Sequence, residues 1–567
     1  MVRTIVSLGL ALAAGAAAQP ASLRVVTPVV DCSALANADI SRAVGAPVHI
    51  TSASMVRDAR PAPYCKVLGY VEPAVRFEVR LPSGSWTQRF VETGCGGLCG
   101  MLNVRLDHAD SCAPARNGEL ALASTDMGHS SGGPEGAFGA KDYQLRIDFA
   151  YRGVHVTTLA AKALIARYYG QAQKYSYFSG CSDGGREALM EAQRYPEDFN
   201  GIAAGAPAMN FITQNTFYHG WNARVNTGAD GKPILTADKL PVLHQAALAT
   251  CDAADGLKDG LIGNPADCHV DPAAAACKPG EDTSACLTAD QVRVARELYA
   301  GAHDAVGHKF VIGGPMPGSE LAWAGVFIPF PGQDRVMSSG ISTGTLRYLA
   351  YARNPPENFT LADFKFERAS FEATTTLHAL YDATDPDLAP FAAAGGKLIL
   401  WHGWADPHIS PLNTVAYYTA MERIMGSTAV SKFARLYLFP GGYHCGGGEG
   451  PFDFDLLTPL MAWVERDDAP GALVAAHSPG RGGPPGGTMG AAGKPDRTRP
   501  VFPYPVSARY TGTGSIYNAA NFVAGEAQAV PAEALRWLGM GFYSARYEAW
   551  CTAKGTVMNC PASQKGK

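Results

Sequence analysis

Serine is a poor nucleophile until a turn exposes its oxygen and a base takes its proton. One stretch of this chain has the makings of such a turn. Gly180-Cys181-Ser182-Asp183-Gly184 fits G-x-S-x-G. Its flanks suit a sharp strand-to-helix elbow: Tyr175-Ser176-Tyr177-Phe178 reads as a short apolar strand, and residues 186–194 (REALMEAQR) read as a helix. The backbone N–H of Asp183 would then stand at a helix N-terminus, where it stabilises an oxyanion. Gly128-His129-Ser130-Ser131-Gly132 fits the same pattern after an apolar run at 120–123, but Gly133-Pro134-Glu135-Gly136 follows, which is no helix. Ser130 is therefore expected in a Gly-rich turn without a catalytic role.

A base and a carboxylate follow in the order that α/β-hydrolases use, Ser, Asp, His. A buried-type strand at 397–401 leads into His402-Gly403-Trp404-Ala405-Asp406, and a second at 433–439 leads into Pro440-Gly441-Gly442-Tyr443-His444. Residues at the carboxyl ends of parallel strands lie on the ligand-binding edge of an open sheet. His444 is the expected base, and Asp406 the group that holds its tautomer and stabilises the imidazolium. Asp453 and Asp455 come after the histidine and break the order. The second oxyanion donor is expected from Gly94-Cys95-Gly96-Gly97, after the strand Arg89-Phe90-Val91-Glu92, with Gly96 or Gly97 supplying the N–H.

Strands alternating with helices predict an α/β sheet: a strand at 77–81, a helix at 154–169, and a helix at 456–465 near the end of the core. The style changes between 209 and 394, where cysteine pairs, Pro-rich turns and mixed helices predict an inserted lid domain. The catalytic domain would then comprise 19–208 and 395–524, with 525–567 a C-terminal extension. Residues 480–494 are Gly/Pro-rich without periodicity and read as a loop. The chain has 567 residues, 47% apolar, with a net charge of −4. A large core is available, and without a Lys/Arg block no nucleic-acid partner is expected. Arg3, a short apolar stretch and Ala16-Ala17-Ala18 read as a signal peptide over 1–18. No later run is long enough to span a membrane, and a secreted or periplasmic protein is expected. Thirteen cysteines fit that oxidising setting. They cluster locally, Cys251 with Cys268, Cys277 with Cys286 and Cys551 with Cys560, although spacing alone leaves connectivity open, as it does for Cys32, Cys65, Cys95, Cys99 and Cys112. The odd total predicts one free thiol or an intermolecular bond. Cys181 and Cys445 directly flank Ser182 and His444, and a bond between them would tie the nucleophile loop to the base loop.

Cys181-Ser182, Asp406 and His444-Cys445 resemble the CS-D-HC motif of the tannase and feruloyl esterase family. The segments Ala123-Ser124-Thr125-Asp126-Met127-Gly128-His129, Arg194-Tyr195-Pro196-Glu197-Asp198-Phe199 and Ala204-Gly205-Ala206-Pro207 are similar to family sequence as well, and the likeness runs from about Cys32 to Phe522. The resemblance implies an α/β-hydrolase fold with a lid, a Cys181–Cys445 disulfide, and a serine esterase acting on small esters of aromatic acids: galloyl, feruloyl or terephthaloyl. It also implies a structural Ca²⁺ in the lid, held by the carboxylates of Asp252, Asp255 and Asp259 and the carbonyls of Leu257 and Leu261. The residues give that site its own support, since three carboxylates in eight residues with glycines at the turns offer hard oxygens to a hard cation. Two family cysteines are missing together: Phe502 stands in Arg499-Pro500-Val501-Phe502-Pro503-Tyr504-Pro505, and none follows Asn521-Phe522-Val523. Trp323, Phe327, Phe330 and Tyr348 of the lid are candidates for an acyl pocket, as is Ile409. Arg347 and Arg353 are candidate partners for a substrate carboxylate. A peptidase or a non-catalytic phenolic-binding protein on the same fold are the rival readings.

Overall fold

The computed structural model describes residues 18–131, 136–480, 493–537 and 547–561. Residues 1–17 of the expected leader and most of the 480–494 loop lie outside the described residues. The frame is a nine-stranded sheet in the order β1-β2-β3-β5-β4-β6-β7-β8-β9. The strands are β1 Val48–Val56, β2 Tyr64–Val71, β3 Val75–Pro82, β4 Arg89–Thr93, β5 Leu120–Thr125, β6 Tyr175–Cys181, β7 Gly201–Gly205, β8 Lys397–Gly403 and β9 Ala434–Phe439. The first three pair antiparallel and β3 meets β5 antiparallel, whereas β5, β4, β6, β7, β8 and β9 run parallel.

The two halves carry different sequence patterns for one reason. β2 lies toward an edge and alternates buried with half-buried residues. β4 and β7 lie inside the sheet and are buried at every position, as parallel strands generally are. Helix Gly153–Tyr169 precedes β6, and helix Asp183–Arg194 follows it. The parallel core also encloses a polar clamp: buried Arg89 pairs with Glu465 of helix Leu457–Arg466 at 2.7 Å, and Tyr177 Oη donates to the same carboxylate. Both charges are buried, so the pair holds because each is matched.

Between β7 and β8 the chain adds no strand to this sheet. It forms helices, among them Leu240–Cys251, Ala289–Ala300 and Met337–Tyr348, which enclose an apolar cluster of their own around Leu243, Leu298, Trp323 and Phe327. The aromatic candidates Trp323 and Phe327 are thus core of this region, and Phe330 is exposed. The C-terminal segment packs on the core as well. Arg194 donates to the Ala549 carbonyl, Trp537 Nε1 donates to Thr384 O, and Trp550 packs edge-on against Tyr151 and Tyr195.

Six disulfides form: Cys32–Cys65, Cys95–Cys99, Cys181–Cys445, Cys251–Cys268, Cys277–Cys286 and Cys551–Cys560. Cys112 is left as a buried free thiol.

Candidate active site

Ser182 caps β6 and starts helix Asp183–Arg194 with φ 66° and ψ −121°. That region of backbone space costs on the order of 1–3 kcal/mol for a residue with a side chain, and the surroundings show what enforces it. A Cβ on Gly180 would stand 2.4 Å from the Gly184 carbonyl oxygen, and one on Gly184 would stand 2.8 Å from that of Cys95. The glycines of the motif are therefore required by close backbone approach. Ser182 N donates to Gly205 O, which fixes the elbow to β7.

Asp406 follows β8 and is fully buried. Its Oδ2 lies 2.7 Å from His444 Nδ1 and 3.0 Å from His402 Nε2, and its Oδ1 accepts from the backbone N–H of His408 and Ile409. Burial alone would push this carboxyl up, but the charge of His444 and the hydrogen bonds from His402 and His444 hold it far below the ordinary carboxylate value. It is thus an anion suited to orienting an imidazole. His402, itself oriented by Thr414 Oγ1 at 2.8 Å, was missed from the sequence, where a histidine on a buried strand reads as core.

The His444 loop is fixed from both sides. Cys445 bonds to Cys181, with Cα atoms 5.9 Å apart. The Cys445 carbonyl lies 3.1 Å from His108 Nε2, and the His108 ring packs on Trp401 and Phe454. A cavity of about 390 Å³ is lined by Ser182, Asp183 and His444 together with Gly96, Gly97, Phe211, Gln214, His219, Met337, Ile341, His408 and Ile409. Its glycine loop is pinned to β6 and to the helix that follows it, with Gly94 N donating to Ser179 O and Gly184 N to Cys95 O at 2.7 Å. Beneath it, buried Asp183 is paired with buried Arg186. This i,i+3 pair is readable in the helix, but its burial is not.

His219 and His408 line the same cavity, where burial disfavours the charged form of both. Burial, reinforced by the nearby His444, pushes His219 down to about 3 and His408 well below the usual imidazole range. His219 Nδ1 lies 2.8 Å from Ser338 Oγ of helix Met337–Tyr348. Arg347, which donates to the Phe359 carbonyl, does not line the cavity, nor does Arg353, and neither do Trp323, Phe327, Phe330 or Tyr348. The lining arginine is Arg105, exposed and paired with Asp107 at 2.8 Å. The second G-x-S-x-G match is elsewhere: Ser130 is exposed outside the cavity lining, and its loop supports the glycine loop through Ser131 N to Gly100 O and His129 Nε2 to Leu98 O.

The loop offered for calcium closes on itself. Asp252 Oδ1 accepts from Asp259 N and Gly260 N, Asp255 Oδ1 accepts from Leu257 N, and Asp259 Oδ1 from Leu261 N, while Asp259 Oδ2 receives Arg499. Gly260 takes φ +80°, a backbone that glycine adopts without strain.

The chain is similar to known proteins over most of its length. The family profile described as tannase and feruloyl esterase matches residues 59–524. The chain is 34% identical over 539 residues to the mono(2-hydroxyethyl) terephthalate hydrolase of Piscinibacter sakaiensis, covering 82% of this chain and 87% of that protein. It is 29% identical over 461 residues to a probable feruloyl esterase B-1 of Aspergillus flavus, covering 78% of this chain and 81% of that one. The crystal structure of feruloyl esterase B from Aspergillus oryzae superposes with a TM-score of 0.71 at 26% identity, covering 84% of this chain and 97% of the other. With its nine-stranded α/β sheet and a profile match spanning most of its length, the chain belongs to the tannase and feruloyl esterase family of carboxylic ester hydrolases.

Proposed function

We propose that the protein is a secreted or periplasmic serine esterase that hydrolyses small esters of hydroxylated aromatic acids. The observation that carries this reading is the bond from Asp406 Oδ2 to His444 Nδ1 beside a cavity that also holds Ser182. In this mechanism Ser182 Oγ attacks the ester carbonyl and His444 Nε2 takes its proton, while Asp406 stabilises the imidazolium. The N–H groups of Asp183 and Gly97 receive the oxyanion. The alcohol leaves with the proton from His444, and water then releases the acid by the same steps in reverse. Six disulfides, and no helix among the described residues long and apolar enough to cross a membrane, support an exported protein.

Two relatives are named for terephthalate monoester and feruloyl ester chemistry. The cavity favours a neutral hydroxylated ring over a free carboxylate. Its deep polar groups, His219, His408 and Gln214, are uncharged hydrogen-bonding groups, and its one lining arginine is already paired with Asp107. The test is hydrolysis of methyl gallate, methyl ferulate, mono(2-hydroxyethyl) terephthalate and p-nitrophenyl acetate, with Ser182→Ala alongside. Turnover of a phenolic ester that vanishes in Ser182→Ala is the expected result. Activity that survives that change, or no turnover of any ester, overturns the reading.

We also infer that Asp252, Asp255, Asp259 and the carbonyls of Leu257 and Leu261 hold Ca²⁺. The donor types fit such an ion, three hard carboxylates and two carbonyls within one loop, and Arg499 already sets a positive charge against Asp259 there. Bound there, Ca²⁺ would supply charge neutralisation and loop rigidity.

A further inference from the structure

We infer that His155, Glu191 and Asp198 form a second cation site, for one divalent ion of zinc type, about two turns along the helix that begins after Ser182. One donor atom from each of the three residues lies within 4.8 Å of the others. They come from three segments: His155 from helix Gly153–Tyr169, Glu191 from helix Asp183–Arg194, and Asp198 from the turn that follows.

The observation that points to a ligand is Glu191. It is completely buried, and neither of its carboxylate oxygens has a hydrogen-bond donor. Glu92 is equally buried and satisfied on one oxygen only, by Thr158. The cation nearby is Lys162, whose ammonium donates to the Asp198 carbonyl at 2.6 Å and lies 3.6 Å from Asp198 Oδ1. Lys162 therefore contacts Asp198 and acts on Glu191 only through space, so the group left facing Glu191 is the Asp198 carboxyl. A buried carboxylate in this position is relieved either by a proton or by a cation.

The third donor favours the cation. A shared proton needs only two carboxylates, yet His155 Nδ1 is 2.6 Å from Asp198 Oδ2, and its ring is stacked on Tyr195 at 3.7 Å with the planes 5° apart. An imidazole nitrogen with two carboxylates is ligand chemistry suited to zinc. The side chains of His155 and Asp198 are 25% and 11% exposed, so an ion has a way in from solvent while Glu191 forms the floor. On binding, Glu191 and His155 would coordinate as carboxylate and neutral imidazole, and any protons they carry pass to solvent. The ion would clamp the nucleophile helix to helix Gly153–Tyr169.

The test uses the full chain, dialysed free of metal and titrated with Zn²⁺, with bound zinc measured by mass spectrometry and Tm by calorimetry. Glu191→Gln preserves shape and His155→Ala changes a part-exposed side chain, so both are expected to fold and retain ester hydrolysis. Wild type should retain one equivalent of zinc and gain several degrees in Tm. Both variants should lose that equivalent, and Asp255→Asn should keep it. Zinc retained by Glu191→Gln at the wild-type level, zinc lost in Asp255→Asn, or no zinc bound by wild type would each overturn the proposal. The last outcome would assign a shared proton to Glu191 and Asp198.

Discussion

The disulfide between Cys181 and Cys445 joins the immediate neighbours of Ser182 and His444, with Cα atoms 5.9 Å apart and a sequence separation of 264. It is a covalent crosslink between the end of β6 and the loop after β9, two strands that are not neighbours in the sheet. Its removal in the double variant Cys181→Ser/Cys445→Ser should cost about 2–5 kcal/mol of stability. If the bond also holds nucleophile and base in register, kcat should fall on the order of 100-fold while KM changes little. A variant that loses stability but keeps its kcat would show that the crosslink only stabilises.

The buried carboxyl of Glu187 receives the Cys95 N–H and so underlies the glycine loop of the cavity. Burial, followed by the charge of Asp183, pushes it up to about 8. A carboxyl raised in the folded state stabilises the fold fully below its ordinary value, and that contribution is lost as pH rises through the raised one. Stability should therefore decline between about pH 5 and 8 by up to about 1.4 kcal/mol per pH unit from this group. Urea unfolding at several pH values measures the slope, and Glu187→Gln should flatten it. An unchanged slope would assign the pH dependence to other groups.

Cys112 is the one cysteine outside a disulfide; it is fully buried, and burial pushes its thiol up to about 11. The native protein at pH 8 should not react with a thiol reagent, because the thiolate is the reactive form. One equivalent should appear on unfolding without reductant. Rapid labelling of the native chain, or a disulfide-linked dimer on a non-reducing gel, would contradict this placement.

Calcium removal provides the fourth test. Dialysis against a chelator selective for calcium should lower Tm, and Ca²⁺ added at one hundred times its Kd should restore it, a stabilisation of about 2.7 kcal/mol. Asp255→Asn should abolish the response. A Tm indifferent to both treatments would leave Arg499 as the cation that serves the loop.

Much of this arrangement was legible because local rules act on neighbouring residues. The elbow glycines, the strands ending at Asp406 and His444, and helices at 154–169 and 456–465, observed as Gly153–Tyr169 and Leu457–Arg466, follow from crowding at a tight turn and from apolar runs buried on both faces. Types and spacing also marked Ser130 as a mismatch, since no helix follows it.

What the sequence by itself determined was the fold class, the family and the residues able to form a triad, because each depends on contacts short in sequence or on a fixed strand order. Tertiary structure alone decided which groups meet across long separations. It brought His402 and His444 onto one oxygen of Asp406, turned Trp323 and Phe327 into the core of the segment between β7 and β8 and left His219 and His408 in the cavity. It also bonded Cys95 to Cys99 and kept Cys112 free. An aromatic residue or a cysteine has the same local propensity whether it lines a pocket or fills a core; only the packing of distant elements against it makes the choice.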